Sequence, residues 1–216
     1  MTLKNRTALV TGSTQGIGLA IAQALAQEGA NIVLHGIEEA GQGEAISADL
    51  ATRFGVQAAY VRANLANAEE AEQLVAVASQ VLGAPDILVN NAGIQYTCGI
   101  ESFPAERWDA ILAAKHGLVG LSKGVALETA TQGIAVNCIC PGWTDTAIIQ
   151  PQIDLRAAKF GGDRDAGIRD LLSEKQPNQT LLAPQRIGEI VAFLCSESAA
   201  GITGVALPVD GGWTAQ

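Results

Sequence analysis

A glycine-rich turn near the start of the chain constrains its fold more than any other feature. The turn runs Thr11-Gly-Ser-Thr-Gln-Gly-Ile-Gly18, after a short apolar segment, Thr7–Val10, and before an amphipathic one with Ile21 and Leu25 on one face. Glycines let backbone N–H groups approach a phosphate closely, and the positive end of the following helix attracts the same charge. The turn therefore predicts a strand, a dinucleotide-binding loop and a helix at the beginning of an α/β fold.

Strand-like and helix-like segments alternate along the whole chain, which is typical of a parallel sheet with helices on both faces. We expect six strands, at Thr7–Val10, Asn31–His35, Ala58–Arg62, Asp86–Asn90, Ile134–Ile139 and Val205–Val209. We expect helices from the glycine turn to Gly29 and over Glu44–Phe54, Glu69–Leu82 and Pro184–Cys195. The predicted fold class is a three-layer, Rossmann-type, doubly wound parallel sheet, α/β, in a single domain over residues 1–216.

The segment over residues 144–183 departs from this alternation, because it contains prolines, paired glycines and many charges. Long irregular insertions in compact domains often serve as lids or binding loops. We interpret the segment as a substrate flap with one short helix near Ala166–Lys175. A surface loop without a role in binding is the alternative.

Composition excludes several classes of function. The net charge of −9 disfavours binding to nucleic acid, and the sequence has no basic patch for a membrane surface. The four cysteines show neither a disulfide framework nor the spacing of a metal site, so we expect no metal. With no signal peptide and no apolar run of membrane length, a cytoplasmic location is expected.

A second motif, Asn90-Asn-Ala-Gly93, follows a later predicted strand. Together with the spacing Gly12-x3-Gly16-x-Gly18, it resembles the short-chain dehydrogenase/reductase family. The resemblance implies that the glycine loop wraps a pyrophosphate and that other loops contact the remaining parts of the dinucleotide. The implied cofactor-binding residues are Gly12, Thr14, Gln15, Gly16, Ile17, Gly18, Ile37, Asn64, Leu65, Asn91, Ala92, Gly93, Lys115, Pro141, Gly142 and Trp143.

Charge near the predicted loop favours NAD as the cofactor over NADP. A 2′-phosphate needs Arg or Lys in the loop or after the second strand. The glycine loop carries no charge, and the second strand is followed by Glu38 and Glu39. Two carboxylates would repel a phosphate but could accept hydrogen bonds from ribose hydroxyls, although a solvated helix start would explain them equally well.

Further segments resemble the bacterial 3-hydroxybutyrate dehydrogenases within that family. They are Asn90–Gln95, Glu101–Pro104, Ala114–Leu121, Ile139–Trp143, Ser173–Pro177 and Asp210–Thr214. The resemblance implies that Gln95 and Gln152 contact a small hydroxy acid, while Trp143 and Trp213 form apolar walls. Packing in the core is the alternative for the two tryptophans.

The expected catalytic machinery is incomplete. Family members place a Tyr four residues before a Lys on one helix, where the Tyr donates a proton and the Lys cation lowers its pKa. Lys115 matches that Lys, but Ile111 occupies the position of the Tyr, and the catalytic Ser has no counterpart. Only 22 positions separate Gly93 from Lys115, fewer than a βαβ unit of roughly 30 residues needs.

Two explanations for the short interval remain open. Either a strand-plus-helix segment between Ala113 and Ala114 is missing from the sequence given, or the protein lacks it. In the second case, residues 106–131 could form one helix, and the strand beginning at Ile134 would pair directly with Asp86–Asn90. We favour the first explanation, because the second removes a central strand.

The resemblance therefore implies an NAD-dependent oxidoreductase that interconverts D-3-hydroxybutyrate and acetoacetate as a homotetramer. Two alternatives stay open. One is a catalytically inactive NAD-binding sensor or scaffold, and the other is a related dehydrogenase that acts on another hydroxy acid or a sugar.

Overall fold

The computed structural model describes residues 2–94 and 104–215, except for the side chains of residue 105 and residues 107–112. Its contacts divide the chain into two compact units. The first comprises Met1–Gly93, Asp145–Ala147 and Ala183–Ala199. The second comprises Ile94–Thr144, Ile148–Leu182 and Ala200–Gln216.

The secondary structure alternates between strands and helices, as the sequence predicts. The strands are β1 (Thr7–Val10), β2 (Asn31–Gly36), β3 (Ala58–Arg62), β4 (Ile87–Val89), β5 (Cys138–Pro141) and β6 (Ala206–Val209). The α-helices are α1 (Gly16–Gln27), α2 (Ala40–Phe54), α3 (Ala68–Leu82), α4 (Ala105–Thr129), α5 (Gln150–Ala157), α6 (Arg164–Ser173) and α7 (Pro184–Leu194).

The first unit contains a parallel sheet with the strand order β3-β2-β1-β4. At the carboxyl edge of the sheet, Val10 of β1 lies opposite Leu34 of β2 on one side and Val89 of β4 on the other. The order reverses at β1, because β2 and β3 follow on one side and β4 lies on the other. In open α/β sheets this reversal creates a crevice at the carboxyl ends of the strands, where ligands bind.

Helices cover both faces of this sheet. On one face, Leu9, Val33 and Val61 form a buried cluster with Leu74 and Ala78 of α3. Alternate strand residues point to the other face, where α1 and α2 contact the strands and each other. Right-handed crossovers place α3 on the face opposite α1 and α2, because the chain moves in one direction along the sheet from β1 to β3 and returns in the other direction from β3 to β4.

Helix α7 packs closely against α1 in the same unit. A Cβ on Gly188 would lie 2.5 Å from the Ala20 carbonyl oxygen, so only glycine allows this approach. Ile187 and Val191 are buried on the same helix. The helix agrees with the predicted range Pro184–Cys195 to within one residue.

The second unit contains a parallel pair of strands, β5 and β6, and a separate helical core. Ile149 precedes α5, and it forms a buried cluster with Ile153 of α5 and Leu171 of α6. Partly buried apolar side chains pack against this cluster, namely Trp143, Ile168 and Leu181.

The predicted fold class is confirmed, and five of the six predicted strands agree with the structure to within one residue at each end. The sheet of the first unit is parallel and flanked by helices. Among the described residues, no helix is long and apolar enough to cross a membrane. The extents of the domain and of the flap stay predictions.

Two details of the prediction are wrong. The segment over residues 144–183 contains two helices, α5 and α6, because apolar residues on both form a core that the loose periodicity concealed. Strand β5 begins at Cys138, four residues after Ile134, and it pairs with β6. Helix α4, by contrast, covers Ala105–Thr129 and agrees with the helix over residues 106–131 that the second explanation predicts.

The buried cluster in α5 generates a test of stability. Ile153 is fully buried, whereas Leu155 on the same helix is 70% exposed. We expect Ile153→Ala to lower the free energy of unfolding by about 2–5 kcal/mol, because it leaves a cavity. Leu155→Ala should change it by less than about 0.5 kcal/mol. Chemical denaturation of both variants measures the difference, and equal losses would contradict the proposed core.

Candidate functional site

The glycine loop between β1 and α1 depends on close contacts that a side chain would prevent. Gly12 and Gly16 have positive φ angles of 59° and 57°, in the left-handed region that favours glycine. A Cβ on Gly18 would overlap the Gly12 carbonyl oxygen and would crowd the Asn91 side-chain nitrogen. The loop therefore folds back against the start of α1 only when Gly18 is present.

The segment after β4 is bonded to the same loop. The Asn91 Nδ2 group donates to the carbonyl oxygens of Thr11 and Gly12, at 2.9 and 3.0 Å. The Thr11 hydroxyl oxygen accepts from the backbone N–H groups of Asn91 and Ala92, both at 2.9 Å. These bonds join the ends of β1 and β4 at the reversal in strand order. The structure thus brings together the two motifs that the sequence analysis singled out.

The amino end of α1 is suited to an anion. Gln15 occupies the N-cap position without a side-chain capping bond, and the first turn of α1 carries no acidic residue. The first N–H groups of a helix lack intrahelical partners, and the helix dipole adds positive potential there. The predicted pyrophosphate contacts from Gly16 to Gly18 lie at this end, where a phosphate would be stabilised.

Glu38 contacts the glycine loop from the turn after β2. The Thr14 hydroxyl donates to Glu38 Oε1 at 2.7 Å, while Glu38 Oε2 is buried with no hydrogen-bond partner among the described residues. Burial acts to raise the pKa of Glu38, but hydrogen bonds, including the one from Thr14, outweigh it and lower the pKa. The group is therefore a carboxylate at neutral pH, with one oxygen available to accept a hydrogen bond.

The two glutamates after β2 differ in their surroundings. The Glu39 side chain is 92% exposed, and it forms an ion pair with Arg62 at 4.0 Å. The Arg62 Nε group also donates to the Ile37 carbonyl oxygen at 3.3 Å. Glu38 is therefore the acidic residue of the site, and Arg62 is a nearby cation that the sequence analysis missed.

Tyr60 supports the turn that carries Glu38. Its hydroxyl donates to the Glu38 carbonyl oxygen at 2.9 Å, and burial raises the pKa of Tyr60. Its ring lies against Gly43 of α2, where a Cβ would overlap it. The Tyr60 hydroxyl is therefore occupied in supporting this turn.

Asn64 and Leu65, the predicted adenine contacts, follow β3 at the same edge of the sheet. Both are exposed. Asn64 Oδ1 accepts from the Ala66 backbone N–H at 3.1 Å, and the Asn64 backbone N–H donates to Glu70 Oε2 at 2.7 Å. These bonds shape the turn into α3 and leave the Leu65 side chain on the surface.

The first unit fits a nicotinamide dinucleotide. The glycine loop and the uncapped amino end of α1 match a pyrophosphate. The Glu38 carboxylate, whose Oε2 has no hydrogen-bond partner among the described residues, matches a ribose. Ile37 is 65% exposed beside Glu38, where a base could cover it. Four further residues shape the site, and no sequence pattern pointed to them, because they bond to partners distant in the chain: Thr11, Ser13, His35 and Tyr60.

In the second unit, two predicted substrate contacts lie together. The rings of Trp143 and Trp213 have centroids 5.8 Å apart, and Lys175 Nζ lies 5.1 Å from the centroid of the Trp213 ring. Trp143 Nε1 is buried with no hydrogen-bond partner among the described residues. The Gln176 side chain, only 2% exposed, accepts from the Trp143 backbone N–H at 2.9 Å.

The other predicted residues of this unit have simpler surroundings. Gly142 follows Pro141 at the end of β5 and donates to the Val209 carbonyl oxygen at 2.9 Å. A Cβ on Gly142 would lie 2.7 Å from Gln176 Oε1. Gln152 is half-buried on α5. Gln95 lies outside the described residues.

Lys115 is exposed on α4, within a continuous helix. Ile111 belongs to the same helix, but its side chain is not described. The expected Tyr–Lys pair is therefore represented by its lysine alone. Across the described part of the chain, no group of His, Cys, Asp or Glu could hold a metal ion.

Two family models match the chain. The model described as short chain dehydrogenase matches residues 6–113, and the model described as enoyl-(acyl carrier protein) reductase matches residues 94–214. The first match ends at Ala113, directly before the proposed junction.

Curated relatives match nearly the whole chain. A D-beta-hydroxybutyrate dehydrogenase of Cupriavidus necator is 39% identical over 260 positions, which cover 99% of this chain and 100% of the relative. A protein of the same name from Rhizobium meliloti is 33% identical over 256 positions, which cover 98% and 99%. Because this chain has 216 residues, at least 44 of the 260 positions have no counterpart in it.

Solved structures support the same assignment. L-sorbose reductase from Gluconobacter frateurii, complexed with NADPH and L-sorbose, is 28% identical with a TM-score of 0.89, and the match covers 100% of both chains. A short-chain dehydrogenase/reductase mutant from Serratia marcescens is 27% identical with a TM-score of 0.82, covering 99% of this chain and 100% of the other. The chain therefore belongs to the short-chain dehydrogenase/reductase family of oxidoreductases.

Proposed function

We propose that this protein binds NAD rather than NADP, with Glu38 as the discriminating residue. The observation that carries the proposal is the half-buried Glu38 carboxylate, which the Thr14 hydroxyl holds beside the glycine loop. A ribose hydroxyl could donate to this carboxylate. A 2′-phosphate near it would meet a negative charge at short range, which costs free energy in a partly buried site. Arg62 is the group that would favour the opposite choice.

We propose a small hydroxy acid, D-3-hydroxybutyrate, as the substrate, with acetoacetate as its oxidised form. The names of the two curated relatives support this choice. The pair of Trp143 and Trp213 offers apolar surface of a size suited to a short carbon chain, and Lys175 adds a positive charge beside it. Gln95 and Gln152 are proposed polar contacts.

A bound nicotinamide would supply the hydride acceptor. The residues of this chain would bind the pyrophosphate at the glycine loop and orient the adenine ribose at Glu38. The set of proton-transferring residues is incomplete. Hydride removal from an alcohol also requires a group that takes the hydroxyl proton. Lys115 is the only proposed member of the proton-transferring pair that the chain contains, and Ile111 has no proton to exchange.

A second candidate function is a dinucleotide-binding protein without catalysis. The continuous helix α4, which carries both Ile111 and Lys115, favours it, as do the 44 or more aligned positions that lack a counterpart. If the 216-residue chain is the whole protein, we propose that it retains the dinucleotide site and has lost turnover. A chain containing the additional segment would be the dehydrogenase.

The remaining proposals come from the family resemblance. We propose a homotetramer, a cytoplasmic location and a substrate-covering role for the segment over residues 144–183. Kinetic assays with a small panel of hydroxy acids and sugars would distinguish the possible substrates.

Cofactor preference is tested with NADH and NADPH. We expect the protein to bind NADH at least about tenfold more tightly than NADPH, and Glu38→Gln to reduce this ratio, because it removes the repelling charge. Glu39→Gln is the matched control and should leave the ratio unchanged, because the Glu39 side chain is 92% exposed. Fluorescence titration gives both dissociation constants. Equal affinities in the unmodified protein would refute the proposal, and Arg62→Gln would then show whether that cation holds the phosphate.

The glycine loop is tested with Gly18→Ala. The added methyl group would push the Gly12 carbonyl and Asn91 apart, so NADH affinity should fall by about tenfold or more. Gly41→Ala is the control, because Gly41 also lies in the first turn of a helix but has no atom within 4 Å of an added Cβ. Retained NADH affinity in Gly18→Ala would mean that the dinucleotide does not depend on this loop.

Catalysis is tested on a chain of verified length. Intact mass spectrometry should first establish whether the natural protein has a mass near 22.2 kDa or one several kDa larger. The 216-residue chain should bind NADH but should not oxidise 3-hydroxybutyrate above background, because no proton acceptor accompanies Lys115. Steady NADH production by that chain would disprove the proposed requirement for the missing segment.

A further inference from the structure

His35, at the end of β2, is almost completely buried, with 2% of its surface exposed. It lies directly beneath the glycine loop, although it is not among the predicted cofactor contacts. Its ring Nδ1 lies 3.1 Å from the Gly12 backbone nitrogen, and its Nε2 lies 3.0 Å from the Ala63 carbonyl oxygen. The imidazole therefore spans from the loop after β1 to the end of β3.

The two partners determine which form of the imidazole fits. The Gly12 N–H can only donate, so Nδ1 must be an unprotonated acceptor. The Ala63 carbonyl oxygen can only accept, so Nε2 must carry the hydrogen. His35 is therefore neutral in this arrangement. A second proton on Nδ1 would place two N–H groups against each other and would break the bond to Gly12.

The backbone of His35 is joined to the same loop. Its N–H donates to the Ser13 hydroxyl oxygen at 3.0 Å, and its carbonyl oxygen accepts from the Ser13 N–H at 2.9 Å. The Ser13 hydroxyl in turn donates to the Val10 carbonyl oxygen at 2.7 Å. The loop is thus fixed at two consecutive residues, Gly12 by the imidazole and Ser13 by the backbone.

We infer that His35 is a positioning residue for dinucleotide binding, which it supports only while its imidazole is neutral. This inference rests on the proposed binding of a dinucleotide at the glycine loop. The bond from Gly12 to Nδ1 holds the loop in the shape that receives the pyrophosphate. Protonation of His35 removes this support, so NADH affinity falls as the pH is lowered.

The surroundings of His35 set the pH range of this effect. Burial is the main cause that lowers the pKa of His35 below its ordinary value of 6.5, and it outweighs the opposing effects of the Ala63 carbonyl and the Glu38 carboxylate. The glycine loop contributes Gly12, Ser13 and Thr14, and β3 contributes the Ala63 carbonyl, none of which is charged. Glu38, from the turn after β2, is the charged group that acts on the imidazole. NADH affinity should therefore be constant above pH 7 and decrease below about pH 6.5.

The experiment compares NADH titrations at pH 7.5 and 5.5 in four proteins. In the unmodified protein, the dissociation constant should rise at pH 5.5 by up to about tenfold, which is the limit for an imidazole whose pKa does not exceed 6.5. His35→Asn should bind within about threefold of the unmodified protein at pH 7.5, because its Oδ1 can accept from Gly12, and it should lose most of the pH dependence. His35→Leu, which has no acceptor, should bind weakly at both pH values. His116→Gln changes the only other histidine, exposed on α4, and should retain the full dependence.

Nitrogen NMR of the imidazoles provides a measurement that does not require binding. With His116→Gln removing the second signal, His35 should show the neutral form with hydrogen on Nε2 at pH 7.5. This result is obtainable even if a His35 variant fails to fold.

The possible outcomes are distinguishable. Absence of NADH binding by the unmodified protein at pH 7.5 would refute the proposed function itself. Binding with the same pH dependence in His35→Asn, tighter binding at pH 5.5, or a protonated His35 at pH 7.5 would each overturn the inference about His35.

Discussion

The close approach of Gly18 to the Gly12 carbonyl is the contact on which the rest of the site depends. Because no Cβ intervenes, Asn91 reaches the carbonyl oxygens of Thr11 and Gly12 and joins the end of β4 to the end of β1. This junction lies where the strand order reverses, at the crevice in which ligands of such sheets bind. The absence of a Cβ on Gly18 therefore permits both the connection between β1 and β4 and the exposed amino end of α1.

Charge and hydrogen-bonding capacity then define what this crevice can hold. The amino end of α1 attracts a phosphate, while Glu38 offers a carboxylate oxygen that has no partner in the described structure. His35 provides a further condition, because it supports Gly12 only as a neutral acceptor. Binding of a dinucleotide and its dependence on pH are thus connected through one backbone N–H group.

In the second unit, few residues are suited to the proposed reaction. Trp143 and Trp213 lie together and Gln176 holds the Trp143 backbone, so an apolar surface is well defined. Lys115, in contrast, is exposed on a helix that carries Ile111 four residues earlier. The Cupriavidus necator relative aligns over 260 positions with this chain of 216 residues, and we propose that the additional positions include the absent proton donor.

The sequence by itself determined the parallel α/β fold and the glycine loop, because periodicity and steric limits act between near neighbours in the chain. The bonds from Asn91 to Thr11 and Gly12 were decided by the tertiary structure, because about 80 positions separate these residues. The sequence did not distinguish Glu38 from Glu39, since only the tertiary structure places Thr14 beside one of them. Nor did it reveal α5, whose buried face depends on Leu171 of α6, or the tautomer of His35, which depends on Gly12 and Ala63. Those features were decided by contacts between residues far apart in sequence, which local patterns do not encode.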